Sequence, residues 1–167
     1  MLAKVTSAVA LAMTIIGANA ESYTISFTNH CGRGTPRLVQ NGKVLSTGGS
    51  FTKNGPFPAA IAYLQTGNCG LNGENCMIVE MTLQNPNPAK PGSGSSVDLS
   101  LIPPHALNVP IHFEYKNGGS CNGKGKTCST ATVTPHSMFL QTPASKCIAR
   151  TTTSISTSFS ALDCHLL

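Results

Sequence analysis

The sequence predicts an all-β domain, and three features of composition and pattern support this prediction. Only 10% of the 167 residues are charged, so the Glu, Lys and Arg residues that solvated helices need are scarce. The chain contains 16 Gly and 11 Pro, which favour turns. Short segments alternate apolar and polar residues, and nowhere do apolar residues recur at helical spacing for three turns. Short strands separated by turns indicate a β-sandwich or a barrel.

The beginning of the chain has the pattern of a secretory signal peptide. Lys4 supplies a positive start, residues 8–16 form an apolar centre, and residues 18–20 read small-x-small, as at a cleavage site. We therefore expect residues 1–20 to be removed and residues 21–167 to form one secreted, extracellular domain. No later segment is apolar for long enough to span a membrane, so no membrane partner is expected.

The first part of the predicted domain divides into five strands. Residues 23–28 alternate apolar and polar side chains, which is typical of a half-buried strand. The dipeptide Asn41-Gly42 lies between two short β-prone segments and is the strongest short-range signal for a hairpin. The predicted strands are residues 23–28, 37–40, 43–46, 59–64 and 77–83.

The second part of the domain has longer loops between its strands. Residues 85–96 are rich in Pro, Gly and Ser and are predicted to form a surface loop within the single domain. Residues 118–126 are predicted to form a second, glycine-rich loop. The predicted strands are residues 97–102, 109–115, 130–134 and 151–159.

Charge and cysteine spacing exclude two classes of partner. The formal net charge is +5, but the basic residues are scattered and not interleaved with aromatic residues, so nucleic acid is not expected to bind. The seven cysteines include no Cys-x-x-Cys spacing, so neither a metal nor another cofactor is expected. Secretion favours disulfides, and an odd number of cysteines leaves at least one thiol free or bonded between chains.

Several segments, in order, resemble a thaumatin-like protein. The similar segments are YTISFTNHCGRG, STGGSF, TGNCG followed by Cys76, VEMTLQ, VDLSLIPPHALNVPIHFEY and CNGKGKTC, which together span residues 22–134. The length is similar to the short form that lacks domain II, and AYLQTGNCGLNGENC most resembles fungal members. The resemblance implies a flattened, disulfide-stapled β-sandwich, secretion, and an acidic cleft that binds β-1,3-glucan.

The resemblance carries over only part of that cleft, which in the family contains one Arg, one Glu and three Asp. Glu80 in VEMTLQ and Asp98 in VDLS match two of these positions. A further Asp falls where this chain has residues 103–105 (PPH), and the last Asp belongs to a region that this chain lacks or replaces. The Arg position falls near Tyr63 and Gln65. The resemblance therefore implies binding by Glu80, Asp98, Tyr63 and Gln65.

Two functions follow from these residues. The first is a noncatalytic secreted monomer that binds β-1,3-glucan, another cell-wall polysaccharide or a secreted protein, and acts in defence, as an effector or in wall development. The second is a weak endo-β-1,3-glucanase or antifungal protein with Glu80 and Asp98 as its catalytic pair, because glycoside hydrolysis needs two carboxyl groups. The incomplete cleft favours the first, with Glu80 and Asp98 converging on one face.

The resemblance also implies a disulfide pattern. It pairs Cys31 with Cys164, Cys69 with Cys76, and Cys121 with Cys147, and it leaves Cys128 as the odd cysteine, predicted to carry the thiol. In short members of the family the partner of that cysteine lies in an Ala-Thr-Cys stretch, where this chain has Val at residue 133. The alternative pairing is Cys121 with Cys128, which would leave the thiol on Cys147.

Overall fold

The computed structural model describes residues 21–117, 119–129 and 152–159. Over these residues the chain forms ten strands, one turn of 3₁₀ helix at Gly119–Cys121, and no α-helix, which confirms the all-β prediction. Within the same residues, no helix could cross a membrane. The strands are β1 (Ser22–Asn29), β2 (Thr35–Gln40), β3 (Lys43–Ser46), β4 (Phe51–Asn54), β5 (Phe57–Gln65), β6 (Ile78–Leu83), β7 (Ser96–Ser100), β8 (Ile111–Lys116), β9 (Gly125–Cys128) and β10 (Thr152–Phe159).

The strands form two five-stranded sheets. The first sheet has the order β4-β1-β10-β8-β9, and the second has the order β3-β2-β5-β6-β7. Strands β1 and β10 are parallel, and the other neighbours are antiparallel. The tail strand β10 therefore lies at the centre of the first sheet, between the first strand of the domain and β8.

Most predicted strands are confirmed, and the differences have local causes. Asn41 and Gly42 have φ of 50° and 70°, which is the backbone that a two-residue hairpin with the matching twist requires. The four-residue edge strand β4 was not predicted, because its pairing with β1 decides it. Residues 125–128, partly predicted as loop, form β9, where Gly125 packs so closely on the Phe113 carbonyl that a Cβ would collide with it. The predicted signal peptide (1–20) and the predicted strand 130–134 lie outside the described residues.

Alternation places a continuous apolar layer between the sheets. In the first sheet, β1 buries Tyr23 and Ile25 while the intervening Thr24 remains partly exposed. In the second sheet, β6 buries Val79 and Met81 on the same side. This two-layer arrangement leaves the second face of each sheet to be covered by loops or to face solvent.

One predicted disulfide is confirmed within the described residues. Cys69 and Cys76 are bonded, with their Cα atoms 5.4 Å apart. Cys31 and Cys121 are also disulfide-bonded, and their predicted partners, Cys164 and Cys147, lie outside the described residues. Cys128 is half-buried in β9, and its thiol remains a prediction.

Candidate functional site

The structure brings Glu80 and Asp98 together on the outer face of the second sheet. Strands β6 and β7 are antiparallel, and in their register Glu80 lies directly opposite Asp98. Side chains directly opposite each other have Cβ atoms about 4.5–5.5 Å apart. Val79 and Met81 are buried on the inner face, so the intervening Glu80 projects outward, as its exposure shows. The predicted convergence on one face is confirmed.

The acidic pair continues into an apolar row across the sheet. Glu80 lies opposite Ile61 of β5, and Ile61 lies opposite Val39 of β2. Four neighbouring strands thus present Val39, Ile61, Glu80 and Asp98 in one line on the outer face. One half of this line is apolar and the other half is acidic.

A loop closed by the Cys69–Cys76 disulfide covers one end of this face. The Tyr63 hydroxyl donates to the carbonyl oxygens of Gly70 and Leu71, each at 3.0 Å. Under the loop, Tyr63 packs with Val39 and Ile78 in a buried cluster separate from the main core. Burial raises the pKa of Tyr63, the charge of Arg37 opposes that rise, and Glu74 adds to it. The loop therefore turns part of a flat sheet into a walled surface.

Between this loop and the β2–β3 hairpin runs a groove of about 420 Å³. It adjoins a second hollow of about 310 Å³ that extends over β6 and β7, and the two share Ala59, Ile61 and Glu80. We refer to both together as the sheet groove. Its floor and walls comprise Val39, Gln40, Asn41, Gly42, Ala59, Ala60, Ile61, Asn72, Glu74, Ile78, Glu80, Met81, Thr82, Ser96, Asp98, Pro104 and His105.

The wall of the sheet groove beside the loop carries Glu74 and His105, neither of which the sequence singled out as a site residue. The Glu74 carboxylate accepts hydrogen bonds from the backbone N–H and the side-chain amide of Asn72, at 3.0 and 3.1 Å. The pKa of Glu74 is held below its ordinary value, chiefly by a hydrogen bond from its own backbone N–H and then by the Asn72 side chain. Glu74 is thus an oriented carboxylate at the rim.

The His105 ring is fixed by the same loop. Its Nδ1 lies 2.9 Å from the carbonyl oxygen of Gly73, and because a carbonyl oxygen can only accept, Nδ1 carries the proton. In the neutral ring Nε2 is then an acceptor. The backbone N–H of Asn75 donates to the Pro104 carbonyl at 2.8 Å, so the segments carrying Glu74 and His105 are fastened together.

Tyr63 and Gln65, the other two predicted binding residues, lie at the covered end of β5. Tyr63 is only 2% exposed, and its hydroxyl proton is already donated to the loop. The Gln65 side chain donates to the Cys69 carbonyl and accepts from the Gly67 and Cys69 backbone N–H groups. Neither residue lines the sheet groove. Their observed contacts hold the loop, and a role in binding remains a prediction.

The outer face also carries an arginine next to Tyr63, which the linear order of the residues does not reveal. Arg37 of β2 lies directly opposite Tyr63, which is the position near which the thaumatin-like pattern places its Arg. It comes from the neighbouring strand, and only the β2–β5 register shows this. Arg37 is outside the lining of the sheet groove.

The chemistry of the site is that of an open, acidic surface. Of the titratable side chains lining the sheet groove, Glu74, Glu80 and Asp98 are acidic, His105 is the fourth, and no Lys or Arg lines it within the described part of the chain. Across the described residues, no group of three or more His, Cys, Asp or Glu could hold a metal ion.

No protein-family model and no curated protein sequence matches this chain. A functional assignment therefore depends on the residues and geometry of the sheet groove.

Proposed function

We propose that this is a secreted, monomeric thaumatin-like protein whose flattened β-sandwich binds cell-wall carbohydrate, with β-1,3-glucan as its ligand and without hydrolysing it. The observation that carries the proposal is the alignment of Glu80 and Asp98 on an open sheet face, directly beside the apolar side chain of Ile61. The segments that resemble thaumatin-like proteins supply both carboxylates.

The sheet groove offers the two kinds of contact that a sugar chain requires. Carboxylates accept hydrogen bonds from sugar hydroxyls, and charged acceptors make stronger hydrogen bonds than neutral ones. The apolar faces of sugar rings can pack on Ala59 and Ile61 in the floor. A small number of polar groups beside an apolar floor is the usual composition of a binding site. The groove extends across β2, β5, β6 and β7, which suits a polymer rather than a single sugar.

The geometry favours binding over hydrolysis. A glycosidase places its two carboxyl groups on either side of the scissile bond. Here Glu80 and Asp98 project from neighbouring strands of one floor, so a chain resting on that floor meets both from the same side. The weak glucanase or antifungal alternative is supported by one observation, the closeness of the two carboxylates on a single face.

Sedimentation with insoluble β-1,3-glucan tests the proposal. We expect the secreted protein to sediment with the glucan, and the double variant Glu80→Gln/Asp98→Asn to lose at least about tenfold in affinity, the equivalent of about 1.4 kcal/mol. Glu114→Gln is the matched control, because Glu114 lies on β8 in the other sheet. Equal retention of the double variant and the unaltered protein would refute this site.

A reducing-sugar assay on the same samples separates the two candidates. A noncatalytic protein releases no reducing ends above the level of the double variant. Release that depends on both Glu80 and Asp98 would establish the glucanase instead.

A further inference from the structure

All three carboxylates that line the sheet groove are hydrogen-bond acceptors, and several of its polar side chains use donors inside the protein. The Gln40 side-chain amide donates to the Pro58 carbonyl at 2.6 Å. The Asn72 amide donates to Glu74, and Nδ1–H of His105 donates to the Gly73 carbonyl. The carboxylate oxygens of Glu74, Glu80 and Asp98 can only accept hydrogen bonds, and all three side chains line the groove. A ligand that carries hydrogen-bond donors therefore suits these three carboxylates.

The charge at the floor of the sheet groove is not compensated within the described residues. Glu80 and Asp98 lie directly opposite each other, and like charges in that position repel. Glu21 shows how a carboxylate can be satisfied within this fold: it accepts hydrogen bonds from the Tyr23 hydroxyl at 2.7 Å and from the Asn85 backbone N–H at 2.6 Å. A positive group on the ligand would relieve the repulsion between Glu80 and Asp98.

We propose that the sheet groove recognises a linear polysaccharide bearing free amines, a glucosamine-type polymer, in preference to a neutral glucan. This inference rests on the proposed carbohydrate-binding function and names the class of sugar that the same site prefers. The spacing supports it, because neighbouring strands lie about 4.8 Å apart, which is comparable to the length of one hexose residue in a linear chain. One amino sugar can thus place its ammonium group near both Asp98 and Glu80, while the ring face of the next sugar packs on the apolar floor at Ile61.

The net charge of the whole protein opposes the binding of a polycation, so the preference for free amines must come from the carboxylates of the sheet groove. The full sequence has a formal net charge of +5, of which Lys4 in the predicted signal peptide contributes one, and the remaining positive charge repels a polycation at long range. Salt screens this repulsion beyond about 8–10 Å at physiological ionic strength. Attraction therefore requires that the amines come within reach of Glu74, Glu80 and Asp98 in the groove, and it should depend on those residues.

Binding of soluble oligosaccharides of equal length tests the inference by calorimetry. The probes are a glucosamine oligomer, its fully N-acetylated counterpart and a β-1,3-glucose oligomer, at mildly acidic pH. We expect the glucosamine oligomer to bind about tenfold more tightly than the acetylated one, which corresponds to two or three surface ion pairs. High salt should reduce that preference, because it screens exposed ion pairs.

Variants locate the preference within the sheet groove. Glu80→Gln and Asp98→Asn should each remove several-fold of the preference for free amines, and Glu114→Gln on the first sheet should leave it unchanged. The measured ratio between the glucosamine and acetylated oligomers is the readout, so a general loss of carbohydrate binding does not imitate the effect.

The outcomes distinguish this inference from the function on which it rests. Binding of the glucose oligomer with no gain for free amines overturns the amine preference and leaves the proposed function intact. Binding of none of the three oligosaccharides overturns both. A basic peptide of equal charge that binds as tightly as the glucosamine oligomer also overturns the inference, because charge alone would then be recognised rather than an amino sugar.

Discussion

Replacing Glu80 by Gln should raise the free energy of unfolding, although most surface substitutions leave it unchanged or lower it. Glu80 is exposed on β6, and its direct cross-strand neighbour is Asp98. At neutral pH, where surface carboxyls are normally charged, the folded sheet holds two negative charges side by side. Unfolding separates them, so removing one charge stabilises the folded state.

The size of this stabilisation can be estimated from the distance between Glu80 and Asp98, which the strand register sets. Two unit charges about 5 Å apart in water repel by about 0.8 kcal/mol. Screening at a Debye length of about 8 Å reduces this to about 0.4 kcal/mol, and the lower dielectric near a protein surface acts in the opposite direction. We therefore expect Glu80→Gln to stabilise the protein by about 0.4–1 kcal/mol, and Asp98→Asn by a similar amount.

A double-mutant cycle measured by urea unfolding at neutral pH is the appropriate assay. After either substitution the repulsion is gone, so the second substitution should add little, and the coupling free energy should be about 0.4–1 kcal/mol. At a salt concentration of about 1 M, where the Debye length is about 3 Å, the coupling should be much smaller. Glu114→Gln is the control, because the positions opposite Glu114 are Ser156 and Gly125.

Two results would refute this reasoning. The first is strict additivity of the two substitutions, since independent effects would mean that the carboxylates do not interact. The second is a stabilisation by Glu80→Gln that is unchanged at high salt, which would point to packing or strand propensity rather than charge.

Three other changes have defined expected effects. Cys69→Ser/Cys76→Ser opens a loop with a sequence separation of 7 and should lower the free energy of unfolding by about 2.5 kcal/mol in urea titrations. Thr157→Val should raise it by about 1 kcal/mol, and Thr157→Ser should not, because the buried Thr157 hydroxyl has no hydrogen-bond partner among the described residues. Burial, followed by the neighbouring Glu21, raises the pKa of Tyr23, and burial together with Asp98 raises that of Tyr115. Because folding favours the neutral form of these tyrosines, their contribution to the free energy of unfolding is fully present below the ordinary tyrosine pKa of about 10 and is lost as pH rises above it. Tyr115→Phe should therefore make the loss of stability at alkaline pH shallower in thermal melts.

The positions of most strands could be predicted from the sequence, because packing against the core makes every second residue of a strand apolar. In β6 the apolar residues at alternate positions are buried and Glu80 between them is exposed, as the sequence indicates. The hairpin at Asn41-Gly42 was predictable for a different reason, since few residues tolerate the positive φ that its turn requires. Strands β4 and β9 were missed because neither follows a hairpin signal like the one that precedes β3, which is equally short, and each is defined by its partner strand.

It was harder to predict from the sequence which strands pair, and in which register, than to predict where the strands lie. The residues that face Glu80 depend on the register between β6 and β7, which the intervening loop sets. In that loop the Ser95 hydroxyl accepts from the Gln84 backbone N–H at 3.1 Å and donates to the Gln84 carbonyl at 3.2 Å. Such a contact closes the loop in one register, and no local pattern of residues predicts it.

The wall of the sheet groove could not be predicted from sequence for a related reason. His105 and Gly73 are 32 residues apart, and a single side-chain hydrogen bond joins them. Glu74 acquires its position from the disulfide-closed loop and from Asn72. The sequence contains the carboxylate and the imidazole, but only tertiary contacts place both beside Glu80.

The acidic pair is also the point where this fold departs from the local rules that the rest of it follows. Alternation, turn chemistry and core packing agree along the second sheet, whereas Glu80 and Asp98 place like charges opposite each other. Departures of this kind are expected at functional sites, because a surface poised to bind is rarely the surface that best stabilises the free protein. The argument has a direct consequence for one variant. Glu80→Gln should raise the free energy of unfolding and at the same time weaken carbohydrate binding. If Glu80 had a purely structural role, a gain in stability would not be accompanied by a loss of binding.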